Sequence, residues 1–239
     1  VYVKVNMNRE DSKILLKEIY EDIELPDSSP QGMEKYLTDN LAIDITFDLV
    51  LKEELLRAEL ISAPLTILIL LFVFGTVVSA SLPALSGIYT VIAAVGIIHG
   101  LTYIVDDLTV YAVNIVSLLG IGLSVDYSLF IVNRFREELG RGHDKRTAIA
   151  MTSATAGRAI LFSGLTVIAG LTGMLFFENT GLPSLGWGGI CATLVALTSS
   201  VILLPSILAI LGDRINSGRV PLGLSTEVAD DGFWYDLAK

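Results

Sequence analysis

Between Leu108 and Asn133 the chain carries one charged residue, Asp126, inside an otherwise uncharged and mostly apolar stretch. A bilayer is crossed by about 20 such residues. Without water, the backbone must satisfy its own hydrogen bonds, which a helix does. A carboxylate in that setting costs roughly 2.5–3.5 kcal/mol on insertion scales, so an acid placed there calls for a partner or a task. The stretch therefore predicts a transmembrane helix with a polar site near its middle.

The rest of the chain repeats the pattern without the acid. From Leu60 to Val105 there is no Asp, Glu, Lys or Arg, and two more apolar blocks cover about 158–177 and 184–211. Hydrophobic residues make up 52% of the 239 residues and the mean hydropathy is +0.65. They come in long blocks rather than at amphipathic spacing, which is the mark of an integral membrane protein. Ser79-Ala80-Ser81-Leu82-Pro83 reads as the link that splits the first block. The expected spans are thus about 60–79, 83–104, 110–133, 158–177 and 184–211, the last with Pro205 as a kink. The fold class is an all-α polytopic membrane protein with five transmembrane helices.

Residues 1–58 read as the end of a water-exposed α+β segment. Val1 to Asn8 alternates as a strand does, Ser12 can cap a helix to about Glu24, and Pro26 to Gly32 is a loop by composition. Residues 59–212 form the membrane domain. Residues 213–239 read as a linker followed by the start of an interfacial helix at Phe233-Trp234-Tyr235. A chain that opens on Val1 within a strand pattern is expected to be a piece of something longer.

Charge sets the orientation. Arg134, Arg136, Arg141, Lys145, Arg146 and Arg158 follow the third span, and Arg214 and Arg219 follow the fifth. The opposite loops hold Asp106, Asp107 and Glu178 and no base. The basic side is expected to be cytoplasmic, with the N-terminus outside and the C-terminus inside. Tyr111, Phe176, Phe177 and Trp187 then fall at the outer interface. Residues 1–60 hold 14 acids and 7 bases, which argues against a nucleic-acid partner. Cys191 is the single cysteine, so no disulfide framework exists. No phosphate loop, nucleophile triad or zinc spacing is present; no enzyme, metal site or cofactor is expected. His99 lies near the outer end of the second span with too few ligand-type neighbours for a metal, and reads as an interfacial or hydrogen-bonded side chain.

On a helical wheel Gly120, Ser124 and Ser128 recur every four residues on a small-residue face suited to close helix packing. Asp126 points elsewhere, with Gly122 and Phe130. Tyr127 lies about 100° from Asp126, and adjacent helical residues do not face each other. Each of the two therefore needs a partner on another helix. Three readings of Asp126 stand at this point: a structural carboxylate, a cation ligand, or a proton carrier. A carboxyl whose protonation changes with helix packing couples proton movement to conformation, and a Tyr hydroxyl, donor and acceptor at once, suits it as a companion. In the fourth span Ser163, Thr166, Gly170 and Gly173 share one face, suited to packing on the third span. Ser163 either supports the Asp–Tyr site or bonds back to its own helix.

Several segments together resemble the MMPL family of the resistance–nodulation–division (RND) transporter superfamily. They are Arg57-Ala58-Glu59-Leu60-Ile61 leading to Pro64-Leu65, Leu71-Phe72-Val73-Phe74-Gly75-Thr76, Gly120-Ile121-Gly122-Leu123-Ser124-Val125-Asp126-Tyr127, Arg134-Phe135-Arg136-Glu137-Glu138-Leu139 and Thr155-Ala156-Gly157-Arg158 through Ser163-Gly164-Leu165-Thr166. The resemblance implies a twelve-span protein of two repeated halves. This chain would supply the end of the first porter domain and spans two to six, an RND-type half bundle behind a partial extracytoplasmic porter segment. It implies that Asp126 and Tyr127 meet an equivalent Asp-Tyr pair on span ten, in a second half absent from this chain, and relay protons there. It also implies a bacterial plasma (inner) membrane location, membrane lipids as surroundings, and export of lipidic or amphipathic cargo driven by the proton gradient. Two alternatives stand beside this: a lipid-sensing module like the sterol-sensing and Patched-like relatives, and an accessory to protein secretion. His99 and Asp106-Asp107 match no family motif.

Overall fold

A computed structural model describes residues 40–105, 108–177 and 181–218. The expected strand at residues 1–8, the helix at 12–24, the Asp106-Asp107 and Glu178 loops and the Phe233-Trp234-Tyr235 helix lie outside the described residues. The chain divides into two compact units, Val1–Ala63 and Pro64–Lys239.

The described residues are helical almost throughout. Helix α1 runs Asn40–Phe74, α2 Val77–Leu101 and α3 Val110–Gly140. The short α4, Lys145–Thr152, passes through a π-helical turn at Ser153–Gly157 into α5, Arg158–Thr172, which ends in a 3-10 turn at Gly173–Phe176. Helix α6, Leu182–Thr198, continues through a second π turn, Ser199–Leu203, into α7, Leu204–Leu211, and a 3-10 turn, Gly212–Asn216.

Among the described residues, four helical segments are long and apolar enough to cross a membrane: Val77–Leu101, Tyr111–Gly140, Lys145–Phe176 and Leu182–Asn216. The first expected span is different. Its apolar part is the 15-residue section Leu60–Phe74, at the end of α1.

The link between the first two spans is also not where composition placed it. Ser79-Ala80-Ser81-Leu82-Pro83 is helical, and the break falls at Gly75-Thr76. Gly75 takes φ +65°, a conformation glycine adopts without steric cost. Thr76 is extended and opens α2. The serines are accommodated by hydrogen bonds rather than by a turn: Ser81 Oγ donates to the Val78 carbonyl at 2.9 Å, and buried Ser79 donates to the Ile215 carbonyl at 2.9 Å. Pro83 removes one helical hydrogen bond, which a membrane helix tolerates when neighbours take up the freed polar groups.

Helix α3 is the centre of the Pro64–Lys239 unit. It packs on both α2 and α6, which also touch each other, while α5 packs on α6. Glycines bring α6 close to its neighbours. A Cβ on Gly188 would overlap the Ala112 carbonyl oxygen and Ile115 of α3, and one on Gly164 of α5 would overlap Leu197 of α6. Small residues at such crossings let backbones approach when lipid supplies no hydrophobic drive for association.

The two ends of the bundle are fastened differently. At one end the Thr109 amide donates to Ser184 Oγ at 3.1 Å, joining the starts of α3 and α6. At the other, Arg136 of α3 reaches the end of α1 and the last 3-10 turn. Its Nη1 donates to the Phe74 carbonyl at 2.8 Å, its Nε donates to Asn216 Oδ1 at 3.1 Å, and its guanidinium lies 5.8 Å from the centre of the Phe74 ring. The Val77 amide donates to the Gly218 carbonyl at 3.0 Å beside it. The ends of α1, α3 and α7 and the start of α2 therefore meet at the basic end, as antiparallel neighbours must. Glu138, with no exposed side-chain surface, lies there between Arg134, Arg141 at 3.1 Å and His143 Nδ1 at 2.8 Å.

Candidate functional site

Helix α3 has two chemically different faces. Gly120, Ser124, Tyr127, Ser128 and Ile131 are buried, while Leu118, Ile121, Gly122, Asp126, Phe130 and Asn133 are exposed. Spacings of four, three and four from Gly120 to Ile131 give the buried face a helical seam. Asp126 sits 16 residues into α3, roughly 24 Å along its axis at 1.5 Å per residue, and so lies deep in the span.

The buried face is where the small residues work. A Cβ on Gly120 would stand 3.4 Å from Thr90 Cγ2 and 3.6 Å from Ala192 Cβ, so the site has little room for a side chain. Beside it a chain of hydroxyls crosses three elements. Thr90 Oγ1 donates to Ser124 Oγ at 3.0 Å, Ser124 and Ser86 are 2.8 Å apart, and Ser86 and Ser199 are 2.9 Å apart. All four residues are buried. Such bonds between helices are worth around 0.6–2 kcal/mol each in a membrane.

The outer face carries Asp126 and no cover. Among the described residues Asp126 makes no hydrogen bond or ion pair, and a Cβ on Gly122, one turn before it, would meet nothing within 4 Å. Tyr127 is 6% exposed and its hydroxyl has no partner. Asp126 and Tyr127 thus occupy different faces, one open and one enclosed.

Helix α5 extends the open region. Ser163, Thr166, Gly170 and Gly173 are all exposed, and the two glycines have nothing within 4 Å of a Cβ. Thr166 Oγ1 donates to the Phe162 carbonyl of its own helix at 2.8 Å. The expected packing of this face on the third span is not made. Helix α5 instead meets the bundle through Gly164 and Ile160, on α6. Sequence reasoning passed over Gly164, Gly186, Gly188 and Gly189 as contact glycines, and Ser86, Thr90 and Ser199 as partners of Ser124. The Gly186-Trp187-Gly188-Gly189 run was a usable signal, since so many small residues in one span mark a close crossing. His99 is exposed and stands edge-on to Tyr103, with ring centres 5.9 Å apart. Among the described residues no group of three or more His, Cys, Asp and Glu could hold a metal.

The model of the MMPL family matches residues 2–235. The chain belongs to the MMPL family. MMPL proteins are RND-superfamily transporters, so the resemblance read from the Gly120–Asp126–Tyr127 stretch holds for nearly the whole chain. The chain is 36% identical over 214 residues to the mycolic acid-containing lipids exporter MmpL11 of Mycolicibacterium smegmatis, which covers 88% of this chain and 22% of that protein. It is 38% identical over 161 residues to the trehalose monomycolate exporter MmpL3 of Mycobacterium tuberculosis, covering 67% of this chain and 17% of the exporter. A putative membrane protein of Streptomyces coelicolor, SCO6666, is 40% identical over 164 residues, with 69% of this chain and 23% of that protein covered. This MMPL chain therefore spans about a fifth of the length of the curated relatives it matches. The two MmpL relatives are named as exporters, not as enzymes.

Proposed function

We propose that this chain is part of a proton-motive-force-driven exporter of lipid or other amphipathic cargo, in which Asp126 and Tyr127 belong to the transmembrane proton relay. The observation that carries the reading is the open carboxylate deep in α3. Gly122 beside it is open, and the Ser163, Thr166, Gly170 and Gly173 strip of α5 is small or polar, although large apolar side chains such as Phe130 and Phe162 are exposed nearby. A carboxylate turned to hydrocarbon is expensive. A second set of helices would cover it, and the coverage of only about a fifth of each relative supports a longer protein that supplies them. Protonation of Asp126 removes its charge and weakens its hold on a polar partner. Deprotonation on the other side restores both, and helix packing that alternates with this charge moves the cargo domain. The relatives' names support lipidic cargo. The basic end around Arg134, Arg136, Arg141, Lys145, Arg146 and Arg158 supports an orientation with that end in the cytoplasm and the protein in the inner membrane.

The test is Asp126→Asn in the full-length protein, reconstituted in liposomes with a pH-sensitive dye inside, alongside export in cells. The expected result is loss of proton movement and of export at unchanged expression. Normal export at normal expression would sink the relay reading. A lipid-sensing module predicts a different outcome: function that persists when the proton gradient is collapsed.

A further inference from the structure

Helix α1 joins the bundle at its inner end. Among the described residues no helix packs along it, and Leu65, Ile67, Leu68 and Ile69 are exposed. Burial begins at Leu70. Leu70 and Phe74 share one core cluster with Tyr127, Ile131 and Phe135 of α3. Phe74 is the last residue of α1, so its carbonyl is one of those that a helix end leaves without an intrahelical partner. Arg136 supplies one: Nη1 donates to that carbonyl at 2.8 Å, and the guanidinium lies 5.8 Å from the centre of the Phe74 ring. A cation there also meets the negative end of the α1 dipole. The Nε of the same group donates to Asn216 Oδ1 at 3.1 Å. One planar fork thereby serves two segments, which the point charge of a lysine does less well.

The neighbouring fastenings do not hold α1. Gly75 at φ +65° and extended Thr76 break the helix directly after Phe74, so α2 is joined to α1 by a turn. The start of α2 is tied down separately, by Ser79 donating to the Ile215 carbonyl at 2.9 Å and by the Val77 amide donating to the Gly218 carbonyl at 3.0 Å. The angle of α1 on the bundle therefore depends on Arg136 and on the Leu70 and Phe74 contact. Arg136 stands on the same helix as Asp126. That helix is unbroken from Val110 to Gly140, and the two residues are ten apart, about 15 Å along its axis. Rigid helices and the hydrogen bonds between them carry coupling from one place in a protein to another.

We propose that Arg136 is a positioning residue for transport: it fixes the inner end of α1 to the Asp126 helix, so that a displacement of α3 on proton transfer is carried into α1. The transport role rests on the relay reading above. The fastening itself does not, since Arg136 holds α1 whatever Asp126 does.

Double electron–electron resonance tests it, on the full-length protein in lipid nanodiscs and a cysteine-free background. Spin labels at Leu68→Cys and Leu118→Cys read α1 against α3, and labels at Leu118→Cys and Leu194→Cys read α6 against α3; all three side chains are exposed. With Arg136 in place the two distance distributions are expected to be similarly narrow. Arg136→Gln should widen the α1–α3 distribution several-fold and leave the α3–α6 one as it was. Arg136→Lys keeps the charge at the helix end and should fall between. Export in cells at matched expression, measured as for Asp126→Asn, should drop several-fold in Arg136→Gln and recover in part in Arg136→Lys. An α1–α3 distribution that is already broad with Arg136 present overturns the proposal, with no variant needed. So does an Arg136→Gln protein that keeps the narrow distribution, widens both equally or exports normally. Normal export by Asp126→Asn would instead sink the relay and leave the spin-label distances standing, so the two readings fail separately.

Discussion

Helices α5 and α6 are both apolar, yet α6 is enclosed and α5 is bare. Ala192, Thr193 and Ala196 of α6 have no exposed surface, whereas in α5 only Ile160 and Gly164 are buried. Both helices are rich in small residues, but they use them differently. The glycines of α6 meet α3 and the end of α5, while Gly170 and Gly173 at the end of α5 meet nothing. Large exposed apolar residues mark other surfaces, at Leu60, Ile61, Leu85, Ile88 and Ile92, and they also flank the small residues of α5, at Leu165 and Phe176. Small residues therefore make close contact in α6, while those at the end of α5 meet nothing within this unit. The outer face of α3 is open in the same way at Gly122, and it holds the carboxylate.

The strongest way to break this comparison is at Gly188. A side chain there meets Ala112 backbone atoms, including its Cα at 3.0 Å, and backbone cannot swing aside as a side chain can. Gly188→Leu should cost at least about 1–3 kcal/mol through overpacking. It should also remove most monodisperse protein after detergent extraction, as read by size-exclusion chromatography. An equally stable Gly188→Leu protein would mean that the α3–α6 crossing is looser than its geometry. Next in size is Glu138→Gln. It removes a buried carboxylate from Arg134, Arg141 and His143, and the loss of charge-assisted bonds should cost roughly 1–3 kcal/mol. The estimate stays low in that range because Arg141 is half exposed. A drop in the thermal midpoint checks it.

Gly170→Leu sharpens the other half of the comparison. Nothing lies within 4 Å of the added carbon, and leucine is the better helix former by somewhat under about 1 kcal/mol. The fold of this unit should therefore be unaffected. If the bare end of α5 waits for other helices of the same transporter, export should fall while expression and thermal midpoint hold. Undiminished export would assign that face to lipid after all.

How much of this was legible follows from what each signal depends on. Hydropathy alone marks the four long membrane helices, because charge is excluded from hydrocarbon regardless of packing. The wheel separated Asp126 from Gly120, Ser124 and Ser128, because residues on one rigid helix keep their relative angles. What stayed hidden depends on neighbours. Ser79 to Pro83 has the composition of a turn in water, but in the bundle those hydroxyls find carbonyl acceptors and the helix continues, leaving the break to Gly75. The partner of α5 could not be read from its own sequence, since Ser163, Gly170 and Gly173 say that contact is wanted and not with what. Ser86 and Thr90 sit in α2 and Ser199 within the Thr198-Ser199-Ser200 run, with nothing in the sequence to link them, and only the crossing of three elements joins them.

The smallest effect lies at α4, which connects helix α3 to the bare helix α5. Asp144 caps it: its carboxylate accepts from the Arg146 amide at 3.2 Å and from the Thr147 hydroxyl. The Thr147 hydroxyl foremost, aided by backbone amides, holds the Asp144 carboxyl below its ordinary value, against a smaller opposing effect of desolvation. A depressed carboxyl contributes stability that is present above its unfolded value and is lost as pH falls through the folded one. Fraying of α4 should therefore increase only in acid, below the usual carboxylate range. Asp144→Asn keeps a cap but cannot titrate, so its fraying should be flat over the same interval. Hydrogen exchange of the first amides of α4, corrected for intrinsic rates, separates the two. Equal pH dependence in both proteins would move the acid sensitivity away from Asp144. Because the group is fully exposed, the difference should be confined to this turn and leave the α3–α6 crossing untouched.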